Sequence, residues 1–353
     1  MNLNEYINDY LNHKLETDDS YTFEKAKEEV INRLIEKNNK KILKFNKNLC
    51  YEYDSNNIPK IIHLTLKNKF SVTNPIWREA LARYIRMYTD YKIILYDNND
   101  IYKIVHHFDK KNLKTIMNID KGAVLADIFR YLILYLRGGY YSDMDCFQIK
   151  RIDKLSEIQY HGDNNNYLYI YPPNSGLRNR ECDFHKNPCN NCRMIYRDDS
   201  FFKNTYKCEG HKYVTKDTSI IVCYEFEKTW HTKINRNTHR NLWTDNDIGI
   251  CQWFIGAKPN EKFFLSCYKK SIKNITDTNL NEGNFHFNVI NSTGPLFFTK
   301  VINKYINKYE DFSNKLCILP SDYFCCGSGF YGETIPHTKN KFIEHKFTGT
   351  WLK

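Results

Sequence analysis

Lys121-Gly-Ala-Val-Leu-Ala-Asp-Ile-Phe-Arg-Tyr-Leu-Ile-Leu-Tyr-Leu-Arg-Gly-Gly-Tyr-Tyr-Ser-Asp-Met-Asp145 is the stretch whose reading decides the fold. From Leu125 to Arg137 nothing interrupts a helix, and Gly138-Gly139 supplies the glycine stop that ends one. Asp127, Arg130 and Tyr131 lie three and four residues apart, so they share one face of that helix. Past the glycines, Tyr141, Asp143 and Asp145 alternate, which predicts a strand that presents all three on one face. Two carboxylates so close repel each other unless one is protonated or a cation bridges them. A hard divalent ion with oxygen ligands resolves the repulsion and also binds phosphates. An acid and a guanidinium on the adjoining helix therefore suit a cation and a polyhydroxylated, phosphorylated ligand better than they suit a core.

The flanking segments extend this unit into an α/β pattern. Ile58-Pro-Lys-Ile-Ile-His-Leu-Thr-Leu66 predicts a buried strand, and Asn74-Pro75 an N-cap with proline opening a helix to about Met87. Tyr91 to Tyr96 predicts a second strand, followed by two short helices as far as Ile119. Strands alternating with helices imply a mainly parallel central sheet. Ligands of such sheets sit beyond the carboxyl ends of the strands, where His63, Asp143 and Asp145 fall. Residues 1–57 read as a helical N-terminal extension, with Ser20 before a helix that carries Val30, Ile31, Leu34 and Ile35 at helical spacing. Residues 58–353 read as the main domain, with a Cys-rich insertion at about 160–245. Order returns at Ile248 to Ala257, then in helices from about Glu261 to Lys273 and from Leu296 to about Tyr309. The C-terminus reads as loop-rich and aromatic.

Composition narrows the function. With 41% hydrophobic residues and 15% aromatics in 353 residues, the chain can build a large core. A net charge of +11 favours anionic partners. Basic residues are dispersed among acids rather than gathered in a stripe, so no nucleic-acid partner is expected. No apolar run is long enough to cross a bilayer and Met1 to Asp19 is unlike a signal peptide, so a soluble, cytoplasmic protein with mostly reduced thiols is expected. His106 and His107 are adjacent, point apart on a helix and read as surface or packing residues. Cys182-x6-Cys189-x2-Cys192-x15-Cys208-x2-His211 leaves two readings open. Cys189, Cys192, Cys208 and His211 are either a structural Zn2+ site of the zinc-ribbon kind or part of a loop that is simply rich in cysteine.

The run Ala126-Asp127-Ile128-Phe129-Arg130-Tyr131, continued by Gly138-Gly139-Tyr140-Tyr141-Ser142-Asp143-Met144-Asp145, resembles the signature of the DXD sugar-binding glycosyltransferases. That family includes yeast outer-chain mannosyltransferases, capsular polysaccharide transferases and, distantly, clostridial glucosylating toxins. Four further segments agree in order: Ile58 to His63, Phe254 to Pro259, Thr293-Gly-Pro295 and His345 to Trp351. The resemblance implies a Rossmann-like fold of the GT-A type. It also implies a Mn2+ or Mg2+ cofactor, a nucleotide-sugar donor, a glycan or protein acceptor, and retention at the anomeric carbon. By position it implies that Asp127, Arg130, Asp143, Asp145 and Gln252 serve the reacting centre. Ile62, His63, Tyr141 and Trp351, with Asp127, Arg130 and Asp143, would surround the donor, and Asp143, Asp145 and His345 would hold the metal. Uridine donors are expected first and guanosine donors second.

Three positions depart from the family pattern. Leu64-Thr65-Leu66 replaces a segment that carries tryptophan, Gln252 stands for asparagine and Thr350 for serine. The last two changes keep the amide and the hydroxyl, and no carboxylate is lost. No nucleophile paired with a base is evident, which favours front-face displacement, in which the departing diphosphate oxygen takes the acceptor's proton.

Overall fold

The computed structural model describes residues 3–16, 20–45, 57–69, 72–157, 192–195, 205–208, 214, 216–227, 248–277, 285–309, 312, 315–319, 321–324 and 341–348. The helices are α1 (Leu3–Leu15), α2 (Phe23–Phe45), α3 (Pro75–Met87), α4 (Asn98–Phe108), α5 (Leu113–Met117), α6 (Gly122–Arg137), α7 (Lys262–Asp277), α8 (Phe285–Ser292), α9 (Pro295–Lys308) and α10 (Ser321–Phe324). The strands are β1 (Ile61–Thr65), β2 (Lys92–Tyr96), β3 (Gly139–Ser142), β4 (Cys146–Gln148), β5 (Cys192–Ile195), β6 (Thr205–Cys208), β7 (Ile220–Glu227), β8 (Ile248–Ile250), β9 (Phe254–Ala257), β10 (Leu316–Leu319) and β11 (Ile343–His345).

The central sheet has seven strands in the order β10-β7-β9-β3-β1-β2, with β8 paired to β7. Strands β1, β2, β3, β7 and β10 point one way, whereas β9 and β8 oppose them. The sheet is thus largely parallel, with one antiparallel strand inside it. That inner strand matters, because its first residues lie at the carboxyl edge of β3.

Helix α6 is buried almost all round, from Val124 to Leu134. It lies in the larger apolar cluster with the sheet residues Ile94, Tyr141, Val222 and Ile255, and packs on α7. This explains why its sequence lacks a clean polar face. Local signals set the other boundaries. Asn74 caps α3 by accepting from the Ile76 amide at 2.9 Å, and Asp97 with Asp100 forms a reciprocal capping box on α4. Helix α2 begins at Phe23, where the Thr22 side chain accepts from the Lys25 amide at 3.3 Å, a capping bond within Ser20-Tyr-Thr-Phe-Glu. Helices α1 and α2 share a small apolar cluster with Ala82 of α3.

The glycine stop is strict. Gly138 and Gly139 have φ of +60° and +88°. A Cβ on Gly138 would lie 2.6 Å from the Pro259 nitrogen, and one on Gly139 2.7 Å from the Ile61 carbonyl oxygen. Both conformation and space therefore demand glycine. Of the insertion, only residues 192–195, 205–208, 214 and 216–227 are described. There β5 and β6 pair antiparallel with Cys192 opposite Cys208, whereas Cys189 and His211 lie outside the described residues. No helix among the described residues is long and apolar enough to cross a membrane.

Candidate active site

One expectation about the aspartates is corrected. Strand β3 ends at Ser142, and Asp143 to Cys146 form a turn closed by the Cys146 amide donating to the Asp143 carbonyl at 3.3 Å. The two carboxylates lie on this turn between β3 and β4 rather than on a pleated face, so they need not share partners. The turn is braced from below. Ser142 accepts from the Tyr84 hydroxyl at 2.6 Å and donates to the Asp143 carbonyl, while the Asp143 amide donates to the Trp253 carbonyl at 2.8 Å.

Asp143 belongs to the helix side. Arg130, 4% exposed, places Nη2 3.0 Å from Asp127 Oδ1 and 3.2 Å from Asp143 Oδ1, and donates from Nη1 to the Gln252 carbonyl at 2.8 Å. Its guanidinium lies over the Tyr141 ring at 4.7 Å, and Tyr141 itself bonds Thr65 through its hydroxyl. Burial works against the arginine's charge, but Asp143, Tyr141 and Asp127 outweigh it and keep the group firmly protonated. Asp127 also accepts from Thr293 Oγ1 at 2.8 Å and from Gln252 Nε2 at 3.2 Å. Burial lifts the Asp127 carboxyl to about 6 against the pull of Arg130. Burial likewise raises Asp143, opposed by Arg130 and reinforced by Asp145.

Asp145 belongs to the C-terminal side. Strand β11 pairs antiparallel with β4 and brings His345 Nε2 within 3.0 Å of Asp145 Oδ1. Thr348 donates to Asp145 Oδ2 from its amide at 2.9 Å and from its hydroxyl at 2.8 Å. Burial alone would raise this carboxyl, yet His345 and Thr348 hold it well below the usual carboxylate range. The His345 ring stacks on Trp253 at 4.5 Å. Asp145, Cys146 and His345 offer ligand atoms within 4.8 Å of one another. The Cys146 thiol points to the Trp253 carbonyl, and burial pushes it well above its usual range, so a hard cation would take the carboxylate and imidazole instead. This donor set fits a divalent ion.

Two predicted donor-site residues are placed elsewhere. Ile62 is packed in the second apolar cluster. His63 is fully buried: Nε2 donates to the Gly138 carbonyl at 2.8 Å, leaving Nδ1 to accept from the Tyr96 hydroxyl at 3.0 Å. Burial holds its pKa down at about 3, and both ring nitrogens are committed to the glycine turn. Tyr141 is also fully buried, as a platform under Arg130. Trp351 lies outside the described residues. Thr293, Trp253, Thr348 and Glu225 join the site without having been assigned to it from sequence. The Thr293-Gly-Pro295 motif was the one available signal for Thr293. Glu225, on β7, lies within electrostatic reach of His345, Asp143 and Arg130, and burial raises its carboxyl to about 7.

Residues 74–161, which span α3, α6 and the aspartate turn, match the family described as the glycosyltransferase sugar-binding region containing DXD motif. Over this segment the chain is similar to the DXD glycosyltransferases. Its relatives include the mannosyl phosphorylinositol ceramide synthase SUR1 of Saccharomyces cerevisiae, 33% identical over 98 residues that cover 28% of this chain and 25% of that protein. The initiation-specific alpha-1,6-mannosyltransferase of Schizosaccharomyces pombe is 22% identical over 322 residues, covering 83% of this chain and 64% of that one. The chain thus spans less than two thirds of either relative's length. Among solved structures, the PaToxG glycosyltransferase shares a TM-score of 0.36 at 13% identity, over 78% of this chain and 79% of that one. The glycosyltransferase domain of the YGT toxin gives 0.25 at 12% identity, over 66% and 49%. In this chain, the first aspartate of the motif is tied to the helix and the second to the C-terminal strand.

Proposed function

We propose that this GT-A-type glycosyltransferase moves a hexosyl or N-acetylhexosaminyl group from a nucleoside diphosphate sugar to a hydroxyl of a glycan or protein, with retention. UDP-sugars are the first choice of donor and GDP-sugars the second. The observation that carries this reading is the buried, charged Arg130 between Asp127 and Asp143, with Asp145 locked to His345 two residues further on. Such a site pairs fixed positive charge for a diphosphate with carboxylates for a cation. Asp143, Asp145 and His345 would hold Mn2+ or Mg2+, which when bound would neutralise charge on the leaving diphosphate. Arg130 keeps Nε without a partner among the described residues, an N–H available to a phosphate or hydroxyl oxygen. Asp127 and Thr293 fix the position of that guanidinium. In the reaction, the acceptor oxygen bonds to the anomeric carbon on the face from which the diphosphate departs, and the departing oxygen takes the acceptor's proton. A structural zinc held by Cys189, Cys192, Cys208 and His211 belongs to the same reading, supported by the register of Cys192 opposite Cys208.

The test is a thermal-shift series with UDP- and GDP-sugars, with and without Mn2+. A donor at a hundredfold excess over its Kd should stabilise the wild type by about 2.7 kcal/mol. Asp145→Asn should lose the Mn2+-dependent part. A variant that binds and turns over donors as the wild type does would refute the assignment.

A further inference from the structure

Strand β7 is longer than the sheet it enters. Ile220 and Ile221 pair with β9, and Ile220 to Cys223 with β10, but the rest of the strand continues past the carboxyl edge and, among the described residues, pairs only with β8. On that extension the register slips: Tyr224 faces Ile250 and Phe226 faces Gly249. Glu225 is the extra residue of this bulge, a device that turns a side chain out of the regular alternation. The re-aimed carboxylate comes within electrostatic reach of His345, Asp143 and Arg130, groups from both halves of the active site. Its Oε2 is buried and has no hydrogen-bond partner among the described residues. Gln252, 3% exposed, shows the same feature on the neighbouring chain segment. Its Nε2 is used on Asp127, Tyr131 and the Thr293 carbonyl, while its Oε1 is buried without a partner.

A buried acceptor with no donor is destabilising, so two at one site call for a ligand that donates. A diphosphate presents only acceptor oxygens and cannot supply that need, whereas sugar hydroxyls can. We propose that Glu225, together with Gln252, reads hydroxyl groups of the transferred sugar and restricts the donor to neutral, hydroxyl-rich sugars. This rests on the nucleotide-sugar reading above. Arg130 and the aspartate turn face the diphosphate, and Glu225 and Gln252 face the sugar. A uronic acid would set an acceptor carboxylate against the acceptor oxygens of Glu225 and Gln252 and donate nothing to them, so acidic sugars are turned away.

The test compares wild type with Glu225→Gln, which keeps the shape and removes the charge. Affinities are measured with Mn2+ for UDP, GDP, UDP-glucose, GDP-mannose and UDP-glucuronate. The variant should bind the free nucleoside diphosphate within about twofold of wild type, and the corresponding neutral nucleotide sugar about tenfold more weakly. Its preference for UDP-glucose over UDP-glucuronate should shrink by a similar factor. Its melting temperature should equal or exceed that of wild type, because an unpartnered buried carboxylate destabilises the fold. Equal losses for nucleotide and nucleotide sugar, or no loss for either, would overturn the proposal, as would a covalent glycosyl adduct on Glu225. Wild-type protein that binds the nucleotides but gains nothing from any attached sugar would also overturn it. Wild-type protein that binds none of the five probes would instead sink the donor reading itself.

Discussion

Strand β3 has a buried polar cluster at each end, and the two are built on opposite principles. At its start, His63, Tyr96 and the Gly138 carbonyl form a chain in which both imidazole nitrogens have partners, with Arg137 donating to the Tyr96 hydroxyl at 3.2 Å. At its end, Arg130, Asp127, Asp143 and Gln252 also interlock, yet Arg130 Nε, Gln252 Oε1 and Glu225 Oε2 are buried without partners among the described residues. A saturated polar cluster holds backbone in place. One with buried atoms left over carries a penalty that hydrogen bonds from a bound ligand or water relieve. The contrast leaves His63 with both nitrogens committed and the far end of the strand with polar atoms to spare, although both looked alike as polar residues at strand ends.

The largest break in this comparison should come from Arg130→Ala. It leaves the buried Asp127 and the half-buried Asp143 carboxylates without their shared cation, and should cost about 3–5 kcal/mol in denaturant unfolding and abolish transfer. Stability unchanged within about 1 kcal/mol would show that the arginine is not integral to the charge balance. At the other end, acid should do the damage. The His63 pKa is about 3 in the folded state, below its unfolded value of 6.5, so the unfolded chain binds the extra proton between them. The stability from neutral His63 is therefore present above about pH 6.5 and is lost as pH falls toward 3, at up to about 1.4 kcal/mol per pH unit. Unfolding midpoints measured across that window should fall more steeply for wild type than for His63→Phe, and matching slopes would refute the assignment. The smallest effect is expected for Thr348→Val, which removes the hydroxyl bond to Asp145 but keeps the amide bond. A loss of about 1.5–3 kcal/mol is expected, along with weaker Mn2+-dependent donor binding. Altered binding of metal-free nucleotide of the same size would mean that the C-terminal strand serves the whole pocket.

Much of this was legible in the chain. Helix α6, the Gly138-Gly139 stop, β3 and the aspartates are contiguous, so helical spacing and the glycine stop marked the unit, and Asp127 and Arg130 share a face as their spacing requires. The turn at Asp143 to Cys146 was not legible, because alternation in three residues fits a strand as well as it fits a turn. His63 drew attention for its place at a strand end, and only packing shows both of its nitrogens committed.

The sequence by itself determined the α/β alternation, the helix–glycine–strand unit and the presence of the DXD pattern, since each depends on neighbours within a few residues. Only the tertiary structure decided which groups surround those aspartates. Thr293 reaches Asp127 from the end of α8, and His345 and Thr348 reach Asp145 from the far end of the chain. Glu225 is aimed by a bulge that exists only through pairing with β8. The Thr293, His345 and Thr348 contacts join residues more than a hundred positions apart, for which no periodicity exists. Their surroundings then separate the two aspartates: burial raises Asp143 against the pull of Arg130, while His345 and Thr348 lower Asp145 against burial. Two identical side chains with one residue between them take different roles, because the fold gives each different neighbours.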